Sequence, residues 1–239
     1  MPEREMHFRS PFLKKLDNFF YHYKWHSIAA FFLIVVIIVC SLQFCVKEPY
    51  DIEIMYAGPA NLNGKQTVLD IQGAFAAFAP DKNEDGEHHA RLVAYWVDEK
   101  YFDKNQTEGA NVAQLANNAY NNQQAYRDEI AAGNLSICLV SPHLFYMVHK
   151  EGGFMNISEL LPELSEDVYH VGESGAVNHY AVTLSKTPLG QLAGLSTLPS
   201  DTILCIRKPA YHLLNASRLE EQHATSLETL LNALRFQAN

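Results

Sequence analysis

Twenty consecutive residues without a charge, Ser27 to Val46 (SIAAFFLIVVIIVCSLQFCV), constrain this chain more than any other stretch. A helix of that length rises about 30 Å at about 1.5 Å per residue, the depth of a bilayer's hydrocarbon. Lipid offers backbone groups no partners, so a lone segment crosses it only as a helix. Arg4, Arg9, Lys14, Lys15 and Lys24 precede the stretch, and Phe19, Phe20, Tyr21, Tyr23 and Trp25 crowd its entrance like an interfacial aromatic belt. The sequence therefore predicts a cytoplasmic segment over residues 1–26, one membrane span over 27–46 and an extracytoplasmic domain over 47–239. A cleaved signal peptide has a shorter apolar core and a small-residue cleavage site, and neither is present here. Cys40 follows Val39 and Cys45 follows Phe44, so a lipoprotein signal is equally unmatched.

The net charge of -9 is unevenly placed. The five basic residues before the span outnumber Glu3, Glu5 and Asp17 by two, which leaves -11 for residues 47–239. A surface so acidic repels phosphate backbones, and nucleic acid is excluded as a partner. Cys138 and Cys205 each lie within an apolar run and are expected as buried free thiols, with a disulfide as the alternative.

The exported part alternates strand and helix. Tyr50–Ala57 alternates as a strand until Gly58 and Pro59. Val68, Ile71, Phe75 and Phe78 recur at helical spacing within Lys65–Ala79. Ala90–Val97 is a second strand, and Val112, Leu115, Ala119, Tyr126 and Ile130 mark a long helix ended by Gly133. Leu135–Val140 is continuously apolar, as a strand covered on both faces should be. The order β, α, β, α, β predicts a three-layer α/β sandwich with a mostly parallel sheet. A short helix follows Pro142, Asn156 is placed to cap another, Asn178–Leu184 and Thr202–Arg207 are two more strands, and Ser217 caps a terminal helix with Glu220 three residues on.

The passage Ile130–Pro162 (IAAGNLSICLVSPHLFYMVHKEGGFMNISELLP) resembles a recurring segment of extracytoplasmic solute-binding proteins of the type 2 periplasmic-binding fold. The matching features are Ala132-Gly133 ending a helix, the strand around Cys138, the Gly152-Gly153 turn and the Asn156-Ile157-Ser158 step into the next helix. With the preceding span, the chain is similar to poorly characterised bacterial membrane-anchored proteins carrying such a domain. The resemblance implies one lobe of that fold, with a ligand near the carboxyl ends of the strands. Tyr56, Trp96 and Ser141, at strand ends, are the candidate ligand-binding residues.

The sharpest local motif is Asp81–Gly86, DKNEDG, the first half of an EF-hand-type calcium loop. Asp81, Asn83 and Asp85 would supply side-chain oxygens, Glu87 its carbonyl, and Gly86 the sharp turn. The twelfth position is Leu92 where a bidentate acid closes the shell, so calcium would need Asp98, Glu99 or waters. The competing reading is a polar turn.

Other chemistry is weakly marked. His88 and His89 point to opposite faces if extended, and His143 and His149 are six apart, off one helix face. Ser174 in GESGA is one residue short of the G-x-S-x-G elbow and reads as a turn. No acid-base pair or activated nucleophile stands out, so the expectation is a non-enzymatic, membrane-anchored module binding a small molecule or a membrane protein. The alternative is a structural or assembly component of a membrane complex with a calcium-stabilised loop.

Overall fold

A computed structural model describes residues 23–26, 28–39, 50–82, 84–102, 110–133, 135–172, 174–209 and 216–236. Contacts divide the chain into two units, Met1–Glu48 and Pro49–Asn239.

In the first unit the described part of the expected span is helical, residues 28–39 (α1). Phe31, Phe32, Ile34, Ile37 and Ile38 are all more than half exposed, so the helix is apolar on every side. Among the described residues no helix is long and apolar enough to cross a membrane. Ser27 and residues 40–46 of the expected span lie outside them.

The second unit is an α/β domain around one six-stranded open sheet. Its strands are β1 Ile52–Gly58, β2 Ala90–Trp96, β3 Ile137–Val140, β4 Tyr169–Val171, β5 Val177–Thr183 and β6 Ile203–Ile206, in the order β2-β1-β3-β6-β5-β4. Between them run α2 Lys65–Ala76, α3 Ala110–Ala132, α4 Pro142–His149 and α5 Ile157–Leu160, and α6 Ala216–Arg235 follows β6. The three-layer expectation holds, and alternation along the strands explains it. Ile52, Ile54 and Tyr56 of β1 and Ile137 and Leu139 of β3 face a core shared with Ile71 and Phe75 of α2 and Leu230 and Leu234 of α6. Their neighbours Met55, Ala57, Cys138 and Val140 face the other core, with Tyr126 of α3 and Leu144, Phe145 and Val148 of α4.

The "mostly parallel" expectation is corrected to a mixed sheet. β1 pairs parallel with β2 and β3, but β3–β6, β6–β5 and β5–β4 are antiparallel. The parallel half is the half joined by full helices, α2 and α3. The link from β5 to β6 is only three short 3-10 turns, at Leu184–Lys186, Leu189–Gln191 and Leu195–Thr197, and the chain simply reverses. Helix α6 already includes Ser217, so the expected cap lies inside the helix.

Candidate functional site

The chain leaves β1 through α2 to reach β2 on one side, then returns over β1 through α3 to β3 on the other. Helices α2 and α3 therefore pack on opposite faces, as the two cores show. The connections that leave the carboxyl ends of β1 and β3 run to α2 and α4 on opposite faces, which makes this the switch point where open α/β sheets form their ligand crevices.

Each predicted ligand residue sits at this end. Tyr56 is 1 % exposed, and its hydroxyl accepts the Ala60 N–H at 2.9 Å. Burial pushes its phenol up to about 12. A Cβ at Gly58 would lie 2.7 Å from the Tyr56 hydroxyl, so the loop can fold over the ring only because Gly58 has none. Tyr56 is thus a prop under the β1–α2 loop. Trp96 is half-buried, donates its ring N–H to the Pro59 carbonyl at 3.1 Å and packs 5.5 Å from Tyr101. Ser141 donates its backbone N–H to Ala57 at 2.9 Å, which extends the ladder, and its hydroxyl lies 3.4 Å from Glu99 Oε1.

Past Ser141 opens a groove of about 1110 Å³. One wall is α4, through His143, Tyr146, Met147 and Lys150; the other is the β4–β5 hairpin, through His170, Val171 and Gly172. Glu99 and Asp201 also line it. Pro142 opens α4 at the position where proline helps a helix begin.

Stacked rings hold the two walls together. Phe145 stacks on His149 at 4.9 Å and on Phe154 at 5.1 Å, while His149 also meets Tyr180 of β5 at 4.9 Å. Tyr146 meets His170 of β4 at 5.8 Å. A Cβ at Gly172 would fall 2.6 Å from the Tyr146 hydroxyl, so this contact sets the approach of the walls. Burial lowers the pKa of His149; burial, then the charge of Lys186, lowers that of His170, with Asp201 opposing. Both imidazoles are thereby favoured as neutral rings.

In the expected calcium loop, Asp81, Asp85 and Glu87 are described and Asn83 is not. The Asp81 carboxylate accepts the N–H groups of Asp85 at 3.2 Å and Gly86 at 2.9 Å, and Asp85 accepts that of Glu87 at 2.9 Å. Among the described residues no group of three or more His, Cys, Asp or Glu is placed to hold a metal ion. Sequence reasoning missed Asp51, which anchors the loop. Only 2 % exposed, it accepts Lys82 N–H and His89 N–H at 2.8 Å each. Ser174 lies in the β4–β5 turn, closed by the Gly175 N–H to Gly172 carbonyl bond at 2.9 Å.

His170, Lys150 and Asp201 of the groove carried no sequence signal, because four separate segments bring the groove's residues together. No family model, curated protein or solved structure matches the chain.

Proposed function

We propose that this protein is a membrane-anchored, extracytoplasmic binding module without catalytic activity, whose domain corresponds to one lobe of a type 2 periplasmic-binding fold and whose ligand enters the groove between α4 and the β4–β5 hairpin. The observation that carries this reading is the position of that groove, beside the switch point between β1 and β3. Binding is supported by the groove's chemistry: an aromatic and thioether wall of Tyr146 and Met147 faces His170, whose ring packs against Tyr146 at 5.8 Å. Anchoring is supported by α1, where Phe31, Phe32, Ile34 and Ile38 are each more than half exposed among the described residues. The test is a thermal-shift screen of the purified full chain against a metabolite library, repeated with Tyr146→Ala. A compound that raises the melting temperature of the parent and not of the variant supports the reading; no stabilising compound sinks it. Anchoring is tested separately, by protease added to intact cells.

A second reading is a structural component of a membrane complex with a calcium-held loop. It is favoured by the inward turn of the Asp81 carboxylate, with Gly86 at φ 85° at the sharp turn.

A further inference from the structure

The groove is electrically two-ended. Glu99 lies beside Ser141, at the start of α4. Asp201 is two residues before Ile203, the β6 residue paired with Val140 at the end of β3, so it stands at the same end. Lys150 follows the last residue of α4. Eight residues of helix at about 1.5 Å each separate the two ends by about 12 Å. Among the described residues, none of the three forms an ion pair with a lysine, arginine, aspartate or glutamate; the titratable neighbour of Asp201 is His170, favoured as a neutral ring. Tyr146 and Met147 lie between the ends.

The second observation concerns β4. It is the last strand of the sheet, so one edge is unpaired among the described residues. Gly172 donates its N–H to Ala176 at 3.0 Å, toward β5. In an antiparallel ladder the direction alternates, so the N–H and C=O of Val171 point away from β5, at the free edge. Val171 lines the groove.

We propose that the groove takes a short unblocked peptide, its ammonium at Glu99 and Asp201, its carboxylate at Lys150 and an apolar side chain against Tyr146 and Met147. Extended chain advances about 3.3 Å per residue, so about 12 Å accommodates three or four residues. A single amino acid is too short to meet both ends, a polyamine is repelled at Lys150, and a nucleotide is repelled at the two acids. The backbone edge at Val171 favours a peptide over other molecules with two separated charges. The inference rests on the binding-module reading. The competing explanation is that Glu99 and Lys150 only complement the dipole of α4, which would affect stability and not binding.

The test uses the purified full chain in detergent and titration calorimetry with four probes: Ala-Phe-Ala, its N-acetylated form, its C-terminal amide, and free phenylalanine. An equimolar mixture of unblocked X-Phe-X tripeptides is added to cover sequence preference. Unblocked peptide is expected to bind, and each blocked form to bind at least about tenfold more weakly. Lys150→Met should abolish the penalty for amidation alone, and Glu99→Gln with Asp201→Asn the penalty for acetylation alone. All three side chains are at the surface, and a melting curve for each variant confirms folding. Equal binding of blocked and unblocked forms, or no binding of the tripeptide mixture, overturns the proposal. If phenylalanine or a library metabolite binds in a Tyr146-dependent way while tripeptides do not, the peptide inference fails and the binding module stands. If nothing binds, both fail.

Discussion

Arg207 Nε donates to the Leu135 carbonyl at 3.0 Å, joining the end of β6 to the turn that enters β3. The same guanidinium donates to the Gly133 carbonyl at 2.5 Å and to the Lys208 carbonyl, and it is only 4 % exposed. Gly133 follows the last residue of α3, so one buried cation satisfies a helix end, a turn and a strand end together.

Arg207→Met should therefore be among the most destabilising single changes in the domain. It leaves three carbonyls short of a donor, and a bond to a charged donor contributes about 1.5 to 3 kcal/mol. A loss of at least about 3 kcal/mol is expected in urea unfolding. Arg207→Lys should recover little of it, because an ammonium cannot span the fork. A loss under about 1 kcal/mol for Met would mean that water or the backbone takes over these carbonyls.

Asp51→Ala should release the loop between α2 and β2. The two carboxylate oxygens that accept the Lys82 and His89 N–H groups are lost, at about 1 kcal/mol each. Hydrogen exchange should accelerate at the Lys82 and His89 amides and stay unchanged in β6. Asp81→Ala is the companion test. Its carboxylate serves two exposed loop N–H groups, so the same modest drop in melting temperature is expected with and without millimolar calcium. A drop that appears only with calcium present would favour the calcium-held loop instead.

The contrast between these two aspartates shows what the sequence could and could not reveal. Asp81 announces itself through its neighbours, in a spacing that any reader of motifs finds. Asp51 works through residues thirty and more positions away, a partnership that exists only after β1 and β2 pair. The same division runs through the fold. The alternating residues of β1 and the helical spacing of Ile71 and Phe75 predict their own burial, because each pattern is local. The antiparallel half was not legible: β4 has only three residues, and whether Thr202–Arg207 runs with or against Leu135–Val140 depends on a connection without a helical period. Ser141 is marked in the sequence because it ends a strand, yet it borders the groove without lining it, whereas Asp201 and His170 line it through tertiary packing alone.

Acid should loosen the domain before it titrates the ordinary carboxylates. His149, His170 and His223 all have pKa values lowered in the fold, each mainly by burial. The unfolded chain then binds protons more readily. The stabilising contribution of the neutral rings is complete above the unfolded value near 6.5 and is lost as pH falls from there through the folded values. Glu53 acts in the opposite sense: burial, resisted by Arg91 at 2.6 Å, raises its carboxyl, so its ionisation costs stability as pH rises past about 4.5. Melting temperature should accordingly fall between pH 7 and pH 5.5. His149→Phe keeps a ring against Phe145 and Tyr180 and removes one titration, so its curve should be flatter. Parallel curves for parent and variant would remove His149 from the account.

Cys138 and Cys205 face each other across β3 and β6, both wholly buried, and both are free. Burial pushes the Cys205 thiol well up, and Cys138 adds to the rise, so little thiolate forms near neutral pH. Alkylation of the folded chain by iodoacetamide, read peptide by peptide in a mass spectrometer, should leave both unlabelled. Urea should expose them together, in the same transition that ring fluorescence reports, because the strands that carry them belong to both cores. Labelling of either cysteine well below that midpoint would mean that β3 and β6 separate before the rest of the sheet, and the central pairing would then be the weakest part of the domain.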